Sequence, residues 1–302
     1  MLTVSKSYHY LKSSICFLLV CICHNFYAQT DLLFEAQKLC NEKKFEQAIP
    51  LIEKVILHPE TKNDPASWHI RSYVYIQTFK QAGPSNYSKL NLLDTAMYSA
   101  LKSMKLDSDK GYIENNNSFI KNGGAYYYKA SIMFIQDSLN ITKSEQCYQN
   151  YKKYITIYDP TFDIKQKDIE HYKSIGGVFA DLYTKTNFNQ KYGDIAKSAL
   201  LKVLELDPKN ISANINLGIL YYNQGATLMQ MMAYDVDLAQ LDVIQENAKK
   251  LFKQSLPFMI KVYELDPKAE RALEGLQGIY SALLDDEKAN EFKQKKEALN
   301  KK

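Results

Sequence analysis

Asn216-Leu217-Gly218-Ile219-Leu220-Tyr221-Tyr222-Asn223-Gln224-Gly225-Ala226, followed further on by Glu264-Leu265-Asp266-Pro267-Lys268, is the stretch that decides the fold. Ile211, Ile215, Gly218 and Tyr222 fall on one face of a helix, and Leu217, Leu220 and Tyr221 fall beside it. Apolar residues over so much of the circumference predict a helix packed against more than one neighbour. A glycine inside a helix costs about 1 kcal/mol against alanine. Gly218 therefore needs a packing reason, and close approach of a partner helix supplies one. Gly225 reads as a helix C-terminus. Proline disfavours helix in the residue before it and cannot continue one, so Leu265-Asp266-Pro267 marks a helix end.

That ending recurs. Glu205-Leu206-Asp207-Pro208-Lys209 repeats Glu264 to Lys268 with the same residue types throughout, and Tyr158-Asp159-Pro160 is a third copy. Leu106-Asp107-Ser108 is a degraded fourth, and His58-Pro59 a remnant of a fifth. Each follows apolar residues at helical spacing, as Ala196, Ala199, Leu200, Val203 and Leu204 precede Pro208. Recurrence of one supersecondary unit at a rough period is the mark of a repeat architecture.

Leu217-Gly218-x-x-Tyr221, a second helix, then Leu265-Asp266-Pro267 resembles the tetratricopeptide repeat. Leu32, Ala36, Leu39, Phe45, Ala48, Ile52 and Pro59 match a first unit. Trp68, Ala96 and Ala100 match a second, and Leu273, Leu276, Tyr280 and Ala289 match the last. The spacing departs from that family: successive markers from Pro59 to Pro267 stand 49, 52, 48 and 59 residues apart. The family period is 34, and HEAT-type helix pairs, with a period of about 40–47, are the rival. HEAT pairs leave the Leu-Gly-x-x-Tyr and Leu-Asp-Pro phrases unexplained. The resemblance implies an all-α, tetratricopeptide-type α-solenoid of about six helix pairs, with units near 30–64, 65–110, 111–162, 163–210, 211–268 and 269–302. Extra length is expected in loops at Gln81 to Asn86, at Asp107 to Gly124 and at Gly225 to about Leu241. The polar stretch from Asp286 to Leu299 reads as the capping helix that such an array needs at its end. Although 302 residues favour two domains by length, the repeats predict a single array over 29–302. Asn216 to Leu299 is also similar to secreted tetratricopeptide proteins common in the Bacteroidetes, a likeness that implies fold and compartment more than activity.

Residues 1–28 read differently. Lys6 and Lys12 precede the apolar run Ile15 to Cys23, and Ala28 closes the segment. A basic start, a short greasy centre and a small residue at the end predict a secretory signal peptide cleaved after Ala28. Lipidation at Cys21 is the minor alternative, because Leu19 and Val20 are bulky for a lipoprotein signal. Loss of Lys6 and Lys12 lowers the net charge from +4 to +2, too little to imply nucleic-acid binding by bulk charge. Cys40 and Cys147 alone would remain. Two cysteines are no disulfide framework; they are expected to be buried, with pairing as the alternative.

No glycine-rich phosphate loop, nucleophile elbow or zinc-protease motif occurs, and His58, His69 and His171 are scattered. No catalytic residue, metal site or cofactor is therefore predicted, and acid pairs such as Asp285-Asp286 and Asp235-x-Asp237 read as a solvated turn or helix start, with attraction of a cation as the alternative. The resemblance implies binding instead. In that family first helices line a groove for a peptide or partner helix. By position from the matched Leu and Tyr, the groove would hold Gln37 and Asn41, then His69, Tyr73 and Gln77, then Ile219, Tyr222 and Asn223. The alternative for each tyrosine is packing between helices. The cochaperone carboxylate clamp is not expected, since its places hold Leu33 and Gln37, His69 and Tyr73, Ile215 and Ile219. The methionine-rich run Leu228 to Tyr234 is either a second surface or core. Together these predict a non-enzymatic scaffold of the periplasm or cell envelope that binds a protein or peptide. An outer-membrane assembly factor is the runner-up. A carbohydrate-uptake protein is disfavoured by the single tryptophan.

Overall fold

The computed structural model describes residues 31–83, 87–137, 139–230 and 237–299. Among these there are no strands, and 12 α-helices pack in adjacent pairs. In chain order they are α1 (31–41), α2 (Phe45–Leu57), α3 (Pro65–Gln81), α4 (Leu90–Leu106), α5 (Ile113–Gln136) and α6 (Ile141–Tyr158). Then follow α7 (Lys165–Lys185), α8 (Gln190–Leu206), α9 (Ile211–Gln230), α10 (Leu238–Leu265), α11 (Glu270–Ala282) and α12 (Asp286–Leu299). This is the all-α helix-pair class that the repeats predict, and α12 begins and ends where the capping helix was expected. No described helix is long and apolar enough to cross a membrane. The predicted signal peptide lies outside the described residues.

The recurrent Leu-Asp-Pro phrase has one geometry. Asp207 N–H donates to the Val203 carbonyl at 2.8 Å, and its Oδ1 accepts from Lys209 N–H at 3.2 Å. Asp266 does the same with Val262 and Lys268, and Asp159 with Ile155 and Thr161. In each case the carboxylate folds back on the backbone two residues ahead, an Asx turn that ends the helix as the proline forbids its continuation. The degraded copy at Asp107 takes Gly111 and Tyr112 N–H on its two oxygens. In the fifth, the His58 ring stands in for the carboxylate, with Nδ1 accepting from Glu60 N–H at 3.4 Å.

Two compact units divide the described chain. The first takes residues up to Ala130 together with Gln146–Phe162, and the second Ser131–Glu145 together with Asp163 onward. In the first, Phe45, Ala48 and Val74 are buried around Cys40. Tyr127 is 1% exposed, stacks on Tyr154 at 5.6 Å and donates its hydroxyl hydrogen bond to Asp94. Trp68 is buried and donates from Nε1 to the Lys62 carbonyl. In the second unit, Ile135, Ile175, Phe179, Tyr183, Ala196, Ala199 and Leu220 form one cluster; Phe252, Met259, Leu273, Leu276 and Phe292 belong to another.

Two expected loops are corrected. Asp107 to Gly124 is a short turn and then helix: Asn115, Asn116, Asn117, Gly123 and Gly124 all lie inside α5. Asn116 is buried, and its Oδ1 accepts a hydrogen bond from His69 Nδ1 at 2.9 Å. A Cβ at Gly123 would collide with the Met97 thioether, so this glycine admits a neighbouring side chain instead of breaking the helix. Gly225 is likewise no helix end. It lies inside α9, which runs on to Gln230, and Phe252 fills the space its missing side chain leaves. Leu228, Met229 and Gln230 belong to α9; the rest of the methionine-rich run lies outside the described residues.

Cys40 and Cys147 are buried and are not joined in a disulfide. Burial pushes the Cys40 thiol up to about 11, far from the thiolate that reacts. Neither thiol is therefore expected to react with Ellman's reagent at pH 8 until the protein is unfolded in guanidinium. Rapid labelling of two thiols in native protein trimmed of residues 1–28 would contradict this packing.

A candidate binding cleft between α9 and α11

Gly218 and Gly275 face the same methionine. A Cβ at Gly218 would lie 2.8 Å from Met259 Cε, and one at Gly275 would lie 2.9 Å from the same atom. Met259, 1% exposed, thus wedges from α10 between two helices that could not come so close with side chains at those positions. This is the packing reason that Gly218 required. Further along, Tyr222 lies over Gly278, where a Cβ would stand 3.5 Å from its hydroxyl. The Tyr222 ring is held from behind by Phe252, at 5.5 Å between centroids.

Above this floor opens a cleft of about 590 Å³. From α9 it is lined by Ile219, Tyr222 and Asn223, and from α11 by Arg271, Glu274, Gly275, Gln277, Gly278 and Ile279, with Lys296 of α12 at its side. Its size falls in the range of sites that enclose ligand groups, about 300–1,000 Å³. Arg271, Glu274, Gly275 and Gly278 follow the i, i+3, i+4, i+7 spacing, so they form one stripe of α11. Lys296 Nζ lies 3.4 Å from Glu274 Oε1, with their side chains 27% and 67% exposed. An ion pair this exposed holds its partners weakly. Arg271 is exposed and makes no ion pair among the described residues.

Three of the sequence-predicted groove residues, Ile219, Tyr222 and Asn223, thus meet in one cleft. The others belong to the first unit. Gln37 and Asn41 are exposed on α1, and His69, Tyr73 and Gln77 are half-buried on α3. His69 packs against Phe119 and Tyr112, with ring centroids at 5.3 and 4.9 Å, and Tyr73 meets Phe45 edge-on at 5.9 Å. Sequence reading missed the whole α11 side of the cleft. Its apolar signal, Leu273, Leu276 and Tyr280, marks the core face, and the stripe of Arg, Glu and two glycines beside it carries no hydrophobic signature. Lys296 reaches the cleft from the second helix of its pair, which only packing reveals.

His171 is fully buried against Tyr172, with Nε2 3.4 Å from Glu145. Asp285 and Asp237 accept from Lys288 N–H and Gln240 N–H, so they cap α12 and α10. No group of three potential metal ligands occurs among the described residues.

No family model matches the chain, and no curated protein matches it by sequence. Solved structures similar to it include a monomeric mutant of IFIT1 with Gppp-AAAA, at 17% identity and a TM-score of 0.36 over 84% of this chain and 46% of that one. The human IFIT1 dimer with m7Gppp-AAAA gives 16%, 0.35, 84% and 46%. PilW, a widely conserved type IV pilus biogenesis factor, gives 15%, 0.29, 90% and 93%. The chain spans about half the length of the IFIT1 chains it resembles.

Proposed function

We propose that this chain is a non-enzymatic scaffold that binds an extended segment of a partner protein in the α9–α11 cleft. The cleft itself carries the reading. Two neighbouring first helices, held apart by Met259, leave a groove with an apolar wall in Ile219 and Tyr222 and amides in Asn223 and Gln277. Amide side chains both donate and accept, so they can pair with an extended backbone whatever its side chains. A tyrosine braced by Phe252 offers contact area with little rotamer entropy to lose. We place the scaffold in the periplasm or cell envelope on the strength of residues 1–28, whose basic start and short apolar run fit a signal peptide. N-terminal sequencing of the protein from its native cell checks that part, and a mature protein beginning at Met1 would remove it.

A photo-crosslinking amino acid placed at Gln277 tests the cleft. It is expected to give discrete protein adducts in cells that Ile219→Glu abolishes, while the same probe at Tyr98, 58% exposed on α4, gives none of them. Ile219 is itself 36% exposed, so the substitution puts a charge into the cleft without opening the core. Adducts that persist in Ile219→Glu would show that the cleft is not the binding surface.

A further inference from the structure

The cleft is chemically uneven along its length. Gly218 and Gly275 meet at Met259, and Tyr222 meets Gly278, so α9 and α11 run side by side through it. Arg271 therefore stands at one end, one turn before Gly275, and Gln277 and Gly278 stand toward the other. At 1.5 Å per residue, Arg271 to Gly278 is roughly 10 Å. That is the length of about three residues of extended chain. Two cations, Arg271 and Lys296, face one acid, Glu274, and that acid can neutralise only one of them. Arg271 is left with no ion pair among the described residues, and it presents a planar fork suited to a carboxylate. The opposite wall, from α9, offers apolar surface in Ile219 and Tyr222.

We infer that the cleft selects partner segments in which an acidic side chain stands within three residues of an apolar one, the acid held by Arg271 with Lys296 and the apolar group by Ile219 and Tyr222. This rests on reading the cleft as a peptide site and adds what that peptide must carry. An incoming carboxylate pairs with Arg271 outright and draws Lys296 from an exposed, weakly held partner. The occupant is a peptide and not a nucleic acid strand. Among the residues that line the cleft, Arg271 and Lys296 alone are cations, and Glu274 offsets one of them, which leaves too little positive charge to follow a phosphate backbone.

The test is selection of a random heptapeptide display library on the purified chain, with peptides displayed so that no C-terminal carboxylate is free. Wild type is expected to enrich Asp or Glu one to three residues from Leu, Ile, Phe or Tyr. The enriched peptides, synthesised with a fluorescent label and an amidated C-terminus, should bind about tenfold more weakly to Arg271→Glu, the loss expected for one charge-assisted contact. Arg271→Lys, which keeps the charge without the planar fork, should fall between wild type and Arg271→Glu, and a fresh selection on Arg271→Glu should drop the acid. Arg271 is exposed, so these variants are expected to keep wild-type melting, which circular dichroism checks. Peptides that enrich without acid, or that bind Arg271→Glu as well as wild type, overturn the acidic requirement while leaving a peptide cleft standing. Enriched peptides indifferent to Ile219→Glu, or no enrichment at all, overturn both readings. Binding of a labelled ten-nucleotide poly-uridine RNA that Arg271→Glu abolishes, with no acidic preference among peptides, overturns the inference in favour of phosphate.

Discussion

Phe252→Ala is expected to cost about 3–5 kcal/mol of unfolding free energy, the range for removing a buried phenyl ring. Phe252 is 4% exposed in the core of the second unit. Its ring touches the bare face of Gly225, where a Cβ would lie 2.8 Å from Cε1 and 3.1 Å from the Ala248 carbonyl. A glycine has no side chain to move into the void, so the space cannot refill and the upper half of the range applies. Domains are stable by only about 5–15 kcal/mol, so the loss is a large fraction of the total. Gly225→Ala alone should also destabilise. Overpacking costs about 1–3 kcal/mol, and better helix propensity returns about 1. Combined with Phe252→Ala, the new methyl group enters vacated space, so the clash with the ring is gone and only the 3.1 Å approach to the Ala248 carbonyl opposes the propensity gain. Urea melts of the four proteins form a double-mutant cycle, and the coupling should be at least about 1 kcal/mol in the rescuing sense. Additive changes, or a Phe252→Ala cost below about 1 kcal/mol, would mean that Phe252 does not sit against Gly225. Because Phe252 braces Tyr222, the substitution should also weaken peptide binding in the cleft.

The second large effect is alkaline unfolding between about pH 10 and pH 12. An exposed tyrosine ionises near 10. Burial pushes Tyr154 up to about 12, with the nearby Asp94 carboxylate adding to it. Burial does the same to Tyr75, whose hydroxyl also donates to Glu53, and it reaches about 12. Burial raises Tyr127 further still, assisted by its hydrogen bond to Asp94. Above pH 10 the unfolded chain therefore releases protons that the folded chain keeps, so stability falls as pH rises through this window. Each such tyrosine removes about 1.4 kcal/mol per pH unit. Tyr127 and Tyr154 alone would then remove about 5 kcal/mol across two units. Cys40 adds loss at the lower end, since its thiol reaches about 11 against the usual 8.5 or so. Helical circular dichroism should collapse within the window, together with a steep rise in tyrosinate absorbance. Tyr127→Phe/Tyr154→Phe should cross the wild-type curve. It is less stable at pH 7, by about 1 kcal/mol for the lost hydrogen bond to Asp94, and more stable at pH 12. A wild type that keeps its helical signal to pH 12 would contradict the burial of these rings.

The helix ends were legible because they depend on local chemistry. Proline lacks an N–H and aspartate reaches its own backbone two residues on, and both effects act within a few residues wherever the phrase occurs. The glycines were not legible in the same way. Gly123 and Gly225 carry a loop or helix-end signal in isolation, yet both lie inside helices because Met97 and Phe252, distant in sequence, occupy the space beside them. The cleft divides along the same line. Ile219, Tyr222 and Asn223 follow from position within a repeat. Arg271 and Lys296 do not, because exposed polar residues have no periodic signature and their meeting depends on how α11 and α12 pack.

By itself, the sequence determined the class of fold and the helix stops at the Leu-Asp-Pro phrases, since amphipathic spacing and Asx-Pro turns are properties of short segments. Tertiary structure alone decided which glycines admit a neighbour and which charged groups share a cleft with Tyr222. Those depend on contacts between residues far apart in the chain, where Met259 between Gly218 and Gly275 fixes how closely two first helices approach.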